Sequence, residues 1–169
     1  VPCHPMAGSE RSGFAGASAD IIPGANVIIT PHEKNDPGMI DRAKRLWKML
    51  ETNVTVTDSI THDKAVALTS HLPHLLSAAI VHAERKGTPD NLSMAPFRGK
   101  GFRDMTRLAA GAPSVWEDIC EMNAEQISVA IDLMTGILSG LRSALDGNGV
   151  DMKAVREFLE QAAEMKKEN

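Results

Sequence analysis

Apolar and polar positions follow two different rhythms along this chain. In the first third the pattern is short and β-branched. Residues 26–31 (NVIITP) read as a strand. Asp36 and Pro37 then supply a helix cap and a first-turn proline. Ile40, Ala43, Leu46, Trp47 and Leu50 follow at helical spacing, and residues 53–57 (NVTVT) alternate as a second strand. Strand, helix and strand in this order predict a βαβ unit with two neighbouring parallel strands and a right-handed crossover. Two strands do not form a stable sheet alone, so the unit is expected to join a larger one. Residues 1–24 are rich in glycine and small side chains and read as loop, with room for one short helix.

Beyond Asp58 the rhythm is helical and no further strand is expected. Residues 61–84 form a long helical pattern through Ala65, Leu68, Leu72, Leu76, Ala79 and Ile80. Residues 87–100 read as loop, and 102–110 as a short helix that Gly111 ends. Ser114 and Glu117 have the spacing of a capping box ahead of a long helix through Val115, Ile119, Met122, Ile127, Ile131, Met134, Leu138 and Leu141. Gly136 and Gly140 lie within it. After DGNG at 146–149, Asp151 is placed to cap a last amphipathic helix through Met152, Val155, Phe158, Leu159 and Met165. The expected boundary is near Asp58, giving segments 1–58 and 59–169. A helix of about 30 residues is ~45 Å long, more than one small domain can cover. The excess apolar surface is expected to meet a second copy of the chain.

Composition narrows the class. The chain has 169 residues, 43% of them hydrophobic and 24% charged, which excludes disorder. A net charge of −4 argues against a nucleic-acid binder. No apolar run reaches the ~20 residues of a membrane span. Cys3 and Cys120 are too few and too far apart for a disulfide framework, and two free thiols fit a reducing cytosol. The chain begins at Val1 rather than Met and runs directly into VPCHPMAGSE, the look of a chain entered in mid-sequence.

Three clusters could carry chemistry. In SHLPH (70–74), Ser70 and His74 are four apart on one helix face, and Pro73 removes a hydrogen bond inside the helix. The other readings of a lone histidine, a hydrogen-bonded core residue, weaken when Ser, two His and an in-helix Pro coincide. His4 and Glu10 lie in HPMAGSE, where a histidine in a Gly/Ser loop is either a base near neutral pH or simply solvated. Arg103 and Arg107 are four apart in GFRDMTRLA, where guanidinium suits a carboxylate. The plainer alternative is two surface arginines, one bridged to Asp104. Trp116 could wall an apolar pocket or be core. No HExxH or cysteine cluster supports a metal, and neither GxGxxG nor a phosphate-loop motif is present.

HPMAGSE at 4–10, SG at 12–13, IITP at 28–31, SHLPH at 70–74, GFRDMTRLA at 101–109 and a tryptophan nine residues after Arg107 together resemble the prephenate/arogenate dehydrogenase family. The resemblance covers nearly the whole chain and weakens after about residue 145. It implies a mainly α protein: an all-helical dimerisation domain preceded by a short α/β (βαβ) remnant of a Rossmann-type domain. It implies oxidative decarboxylation of prephenate or arogenate on the way to tyrosine, with NAD or NADP, in a cytoplasmic homodimer. By the same resemblance His4 is the catalytic histidine facing the substrate hydroxyl and Arg107 binds a substrate carboxylate. Ser70 and His74 line the pocket, Asp104 and Trp116 reach a neighbouring subunit's site, and Glu10 is an acidic residue near the entrance. Lys100 stands where the family often has glycine. The family's glycine turn lies upstream of HPMAG, so cofactor-binding residues are not assigned and this stretch alone is expected to bind no dinucleotide tightly. One other reading stays open, a non-catalytic helical dimerisation or regulatory module that keeps the motifs; SHLPH, TRLA and Trp116 argue against a third, a helical-tailed dehydrogenase acting on another hydroxyacid.

Overall fold

The computed structural model describes residues 1–8, 17–146 and 149–167. Its sheet has three strands, β1 (Cys3–Pro5), β2 (Asn26–Ile29) and β3 (Asn53–Val56), in the order β1-β2-β3. β2 and β3 are parallel, with Val27 opposite Val54 and Ile29 opposite Val56. The crossover is α1 (Pro37–Met49), whose first turn is closed by the Asp36 carboxylate accepting the Met39 N–H at 3.1 Å. The expected βαβ unit is therefore present.

The strand β1 is an addition to that expectation. It runs antiparallel to β2, with His4 opposite Ile28. Three residues ending in proline offer no alternation to read, and proline is tolerated in a sheet at an edge position such as this. Val27 and Ile29 of the central strand are fully buried.

The rest is helical. α2 (Ser59–Val66) starts under the Asp58 carboxylate, which accepts from the Thr61 N–H at 2.8 Å and the Thr61 hydroxyl at 2.7 Å. A π-helical turn, Ala67–His71, leads into α3 (Leu72–Gly87). The Leu72 N–H reaches the Ala67 carbonyl five residues back, and Pro73, with no N–H to give, follows at once. The expected proline distortion is thus a widened turn on its N-terminal side. α4 (Lys100–Thr106), α5 (Pro113–Met122), α6 (Ala124–Leu145) and α7 (Met152–Lys167) complete the chain, with single 3-10 turns at Ala19–Ile21, Ala95–Phe97 and Arg107–Ala110.

Three helical expectations are corrected. The short helix expected over 102–110 begins at Lys100 and tightens into 3-10 geometry at Arg107. The cause is Ser77, whose buried hydroxyl accepts the Ala109 N–H at 2.9 Å and diverts it from the helical ladder. Ser114 and Glu117 form no capping box, because Pro113 already occupies the first turn and Ala112 is the cap. The long helix after residue 114 is two helices, broken where Asn123 leaves helical geometry at φ −123°, ψ 29°. By contrast Asp151 caps α7 as expected, accepting from the Lys153 and Ala154 N–H groups at 3.1 and 3.0 Å.

By its internal contacts the chain divides into two compact units, Val1–Ile127 and Ser128–Asn169. The first buries Val27, Ile29, Val66, Ala67, Leu72 and Ile127, together with His71, His74 and Ser77. In the second, Ala130 is the one buried hydrophobic among the described residues, while Val129, Leu133, Leu138, Leu145, Leu159 and Met165 are exposed. A groove of about 480 Å³ within the second unit is lined by Gly136, Ile137, Gly140, Leu141, Phe158 and Met165 among others. The expectation that no segment is long and apolar enough to cross a membrane is also corrected. Ser59–Gly87 and Ala124–Leu145 both are, by length and composition, since scattered uncharged polar residues leave the mean hydropathy high.

Candidate functional site

His4 is held on a strand rather than in a loop. Pairing with Ile28 fixes its backbone, and its Nδ1 lies 2.8 Å from Nε2 of His62 in α2. The rings meet edge to face, 5.0 Å between centroids. Nδ1 of His62 lies 2.8 Å from the Asp63 carboxylate. Burial, then the neighbouring His62, hold the His4 imidazole below the ordinary 6.5, so its neutral form is favoured.

Asp63 also leads to the next histidine. The Asn123 side-chain N–H₂ donates to the Asp63 backbone carbonyl at 2.9 Å and lies 3.3 Å from Nδ1 of His71. The break between α5 and α6 is therefore where Asn123 turns back to tie α2 to the π-turn. Burial is the first cause lowering the His71 pKa, followed by His4 and His62, with Asp63 opposing.

The Trp116 indole of α5 stacks on His74, with 3.5 Å between centroids and 16° between planes. It meets His71 edge-on at 6.2 Å. Such contact needs the chain at Gly111 to come very close. A Cβ there would lie 2.6 Å from Cε1 of His74 and 3.0 Å from Nε1 of Trp116. Gly111 has an ordinary extended conformation, φ −61°, ψ 154°, so its role is this approach and not a left-handed helix stop. Burial lowers the His74 pKa as well.

Ser70 is half-buried within the π-turn. Arg107 is exposed at the point where α4 becomes 3-10, on the turn that Ser77 anchors. Asp104, also exposed, pairs with Lys100. Arg103 instead donates to the Arg98 carbonyl. Arg98 makes two hydrogen bonds, 2.8 and 3.1 Å, to Glu84, which closes the 88–99 loop against α3. Glu10 lies outside the described residues.

The structure thus brings His4, His74 and Trp116 into one chain of contacts: His4–His62–Asp63–Asn123–His71–Trp116–His74. His62 was visible only as one of four histidines between 62 and 82, with no cue that it meets His4. Ser77 had a weak signal, as a hydroxyl on an otherwise apolar helix face. Asn123 and Asp63 had none.

Comparison with known proteins adds the context. Residues 58–164 match the family described as "Prephenate dehydrogenase, dimerization domain", and residues 1–56 match "Prephenate dehydrogenase, nucleotide-binding domain". The chain belongs to the prephenate dehydrogenase family. It is 34% identical over 124 residues to prephenate dehydrogenase of Bacillus subtilis, covering 73% of this chain and 33% of that protein. It is 30% identical over 150 residues to cyclohexadienyl dehydrogenase of Zymomonas mobilis, covering 86% and 50%. A crystal structure of prephenate dehydrogenase from A. aeolicus in complex with hydroxyphenyl propionate and NAD+ superposes with a TM-score of 0.85 at 30% identity, over 98% of this chain and 56% of that one. The chain therefore spans a third to just over half the length of these family members.

The fit of a dinucleotide can be tested on the family fold as it stands here. Of the turns that follow the parallel strands, β2 runs into Thr30-Pro31 and β3 into Asp58, with no glycine in either. A pyrophosphate needs close backbone approach at such a turn. Neither of these two turns offers that approach.

Proposed function

We propose that this chain is the substrate-binding and dimerising part of an NAD(P)-dependent dehydrogenase that oxidatively decarboxylates prephenate or arogenate in tyrosine biosynthesis. The division at Asp58, with 1–58 as the end of a Rossmann-like domain and 59–169 as helical domain, belongs to this reading. So does a cytoplasmic homodimer formed through the helices. The observation that carries it is the neutral, strand-held His4 at one end of a histidine network that ends at Trp116 and His74.

The residue chemistry follows. Oxidation turns the substrate ring hydroxyl into a carbonyl, and a base must take its proton. A neutral imidazole does so at physiological pH. Arg107, on a turn pinned by Ser77, presents a fixed cation to a substrate carboxylate. The stacked Trp116 and His74 give a flat wall for a six-membered ring, with Ser70 beside it. Asp104 and Glu10 are assigned to the rim, the former with Trp116 toward a neighbouring subunit. Loss of CO2 then makes the ring aromatic.

The dimer is supported by α6, whose polar residues Ser128, Asp132, Thr135 and Ser139 share one face while Val129, Leu133, Ile137 and Leu138 elsewhere on it are exposed in a single chain. Such an apolar face is normally covered. A family match described by dimerisation covers it.

The test is prephenate-dependent NAD(P)H formation in this chain extended by the nucleotide-binding part its relatives carry. His4→Asn should lower kcat by about 10²- to 10⁴-fold with little change in KM. Arg107→Ala should lower kcat/KM by roughly 10- to 100-fold, mainly through KM. An active protein in which neither change matters would leave the non-catalytic module as the better reading.

A further inference from the structure

With both imidazoles neutral, the contacts around His4 admit only one arrangement of protons. The half-exposed Asp63 carboxylate is the acceptor for the imidazole beside it. Nδ1 of His62, 2.8 Å away, must carry a hydrogen. In a neutral His62 the other nitrogen, Nε2, is then bare. That bare Nε2 lies 2.8 Å from Nδ1 of His4, which must donate to it. The Nε2 of a neutral His4 is consequently left without a proton and able to accept one.

We infer that His62 and Asp63 form a positioning pair that selects the catalytically competent tautomer of His4. The inference rests on the reading of His4 as the base, and it deepens that reading. His62 and Asp63 touch no substrate in this scheme; they act through His4. The logic is that of a base held in one tautomer by a buried or partly buried carboxylate, here extended by one further imidazole.

Three other observations agree. Asp58 fixes the start of α2 and so places His62 one turn later. Asn123 holds the Asp63 backbone carbonyl, so the residue is anchored at both ends. That carbonyl requires a donor, which sets the Asn123 amide with nitrogen inward and leaves Nδ1 of His71 as the acceptor. His71 is thus kept as its own Nε2–H tautomer and does not compete for His62. The titratable groups around the pair are His4 and His71. Were His62 to take a proton, both its nitrogens would donate, Nδ1 of His4 would accept, and Nε2 of His4 would lose its capacity as a base.

Imidazole nitrogen NMR on the labelled chain reads the tautomer without any turnover. Above the ordinary histidine range, His4 should show protonated Nδ1 and bare Nε2. Asp63→Asn and His62→Leu should each convert it to a mixture or to the Nε2–H form, while Asp63→Glu restores the original spectrum. Backbone amide spectra report whether each variant remains folded, and a folded variant with unchanged His4 tautomer overturns the inference. A wild-type His4 that is Nε2–H overturns it outright.

In the extended, active protein, Asp63→Asn should cut kcat by roughly 10- to 100-fold while KM changes less than about twofold. The acidic limb of its pH profile should move, which a purely structural role would not cause. If the tautomers are as stated but His4→Asn is fully active, the base assignment fails and the pair's geometry stands. If His4→Asn is inactive but the tautomer is wrong, only the positioning pair fails.

Discussion

The two compact units use their side chains in opposite ways. The first spends buried positions on polar groups: His71, His74 and Ser77 are each covered, and each has a named partner in Asn123, Trp116 or Ala109. The second buries almost nothing and leaves Leu133, Leu138 and Leu159 more than half exposed. A domain meant to stand alone would do the reverse, hiding apolar groups and exposing polar ones. The difference teaches that the first unit is built around buried polar contacts, while the second presents an apolar surface that the proposed dimer would cover.

The comparison can be broken at its widest point first. Leu138→Asp puts a charge on the apolar helix of the second unit. If a second copy covers α6, the dimer should weaken by more than roughly 3 kcal/mol, and light scattering should show half the mass. An unchanged mass would remove the reason for the exposed surface. In the first unit, Gly111→Ala forces a methyl group against His74 and Trp116. A loss of about 1–3 kcal/mol is expected, with a lower melting temperature and a weaker indole stacking signal in near-ultraviolet circular dichroism. An unaffected protein would mean that the stack has room to spare.

Back in the second unit, Asp151→Ala removes the cap of α7 and should cost about 1 kcal/mol in thermal or denaturant unfolding. The smallest effect concerns pH. His4, His71 and His74 all have folded-state pKa values below the ordinary 6.5. The unfolded chain then binds more protons, so stability is present above 6.5 and is lost as pH falls below it toward the folded values. Replacing His71 should flatten that slope, whereas substitutions in the second unit should not. Denaturant midpoints measured across this range would show it.

How far the sequence anticipates this depends on whether the signal is local. The βαβ unit, the cap at Asp36 and the cap at Asp151 are each written in a few adjacent residues, and each is found. β1 has no pattern of its own and exists only because β2 is beside it. The split at Asn123 is invisible in the periodicity, because apolar residues continue on both sides of it. Its cause is a hydrogen bond to residue 63. The same holds for the site. The motifs around 4, 70–74 and 107 are legible as clusters, but His62 and Asp63 acquire meaning only through contact with His4, 58 positions away. Gly111 was legible as a stop, and the reason for the glycine lay in two rings from other helices.

The π-turn at Ala67–His71 has a geometric consequence for all of this. In an uninterrupted α-helix each residue advances about 100°, so His62 and His74, twelve positions apart, would point about 120° away from each other. A π-turn absorbs one extra residue, which makes them in effect eleven apart and brings the difference to about 20°. The surplus residue works like a tooth added to a gear: it sets the phase between the half of the helix that faces the sheet strand and the half that faces the indole. Deleting Leu68 alone would close the turn into plain α-helix and leave the two halves in phase, whereas the same twelve positions wound without the π-turn would swing them to about 120°.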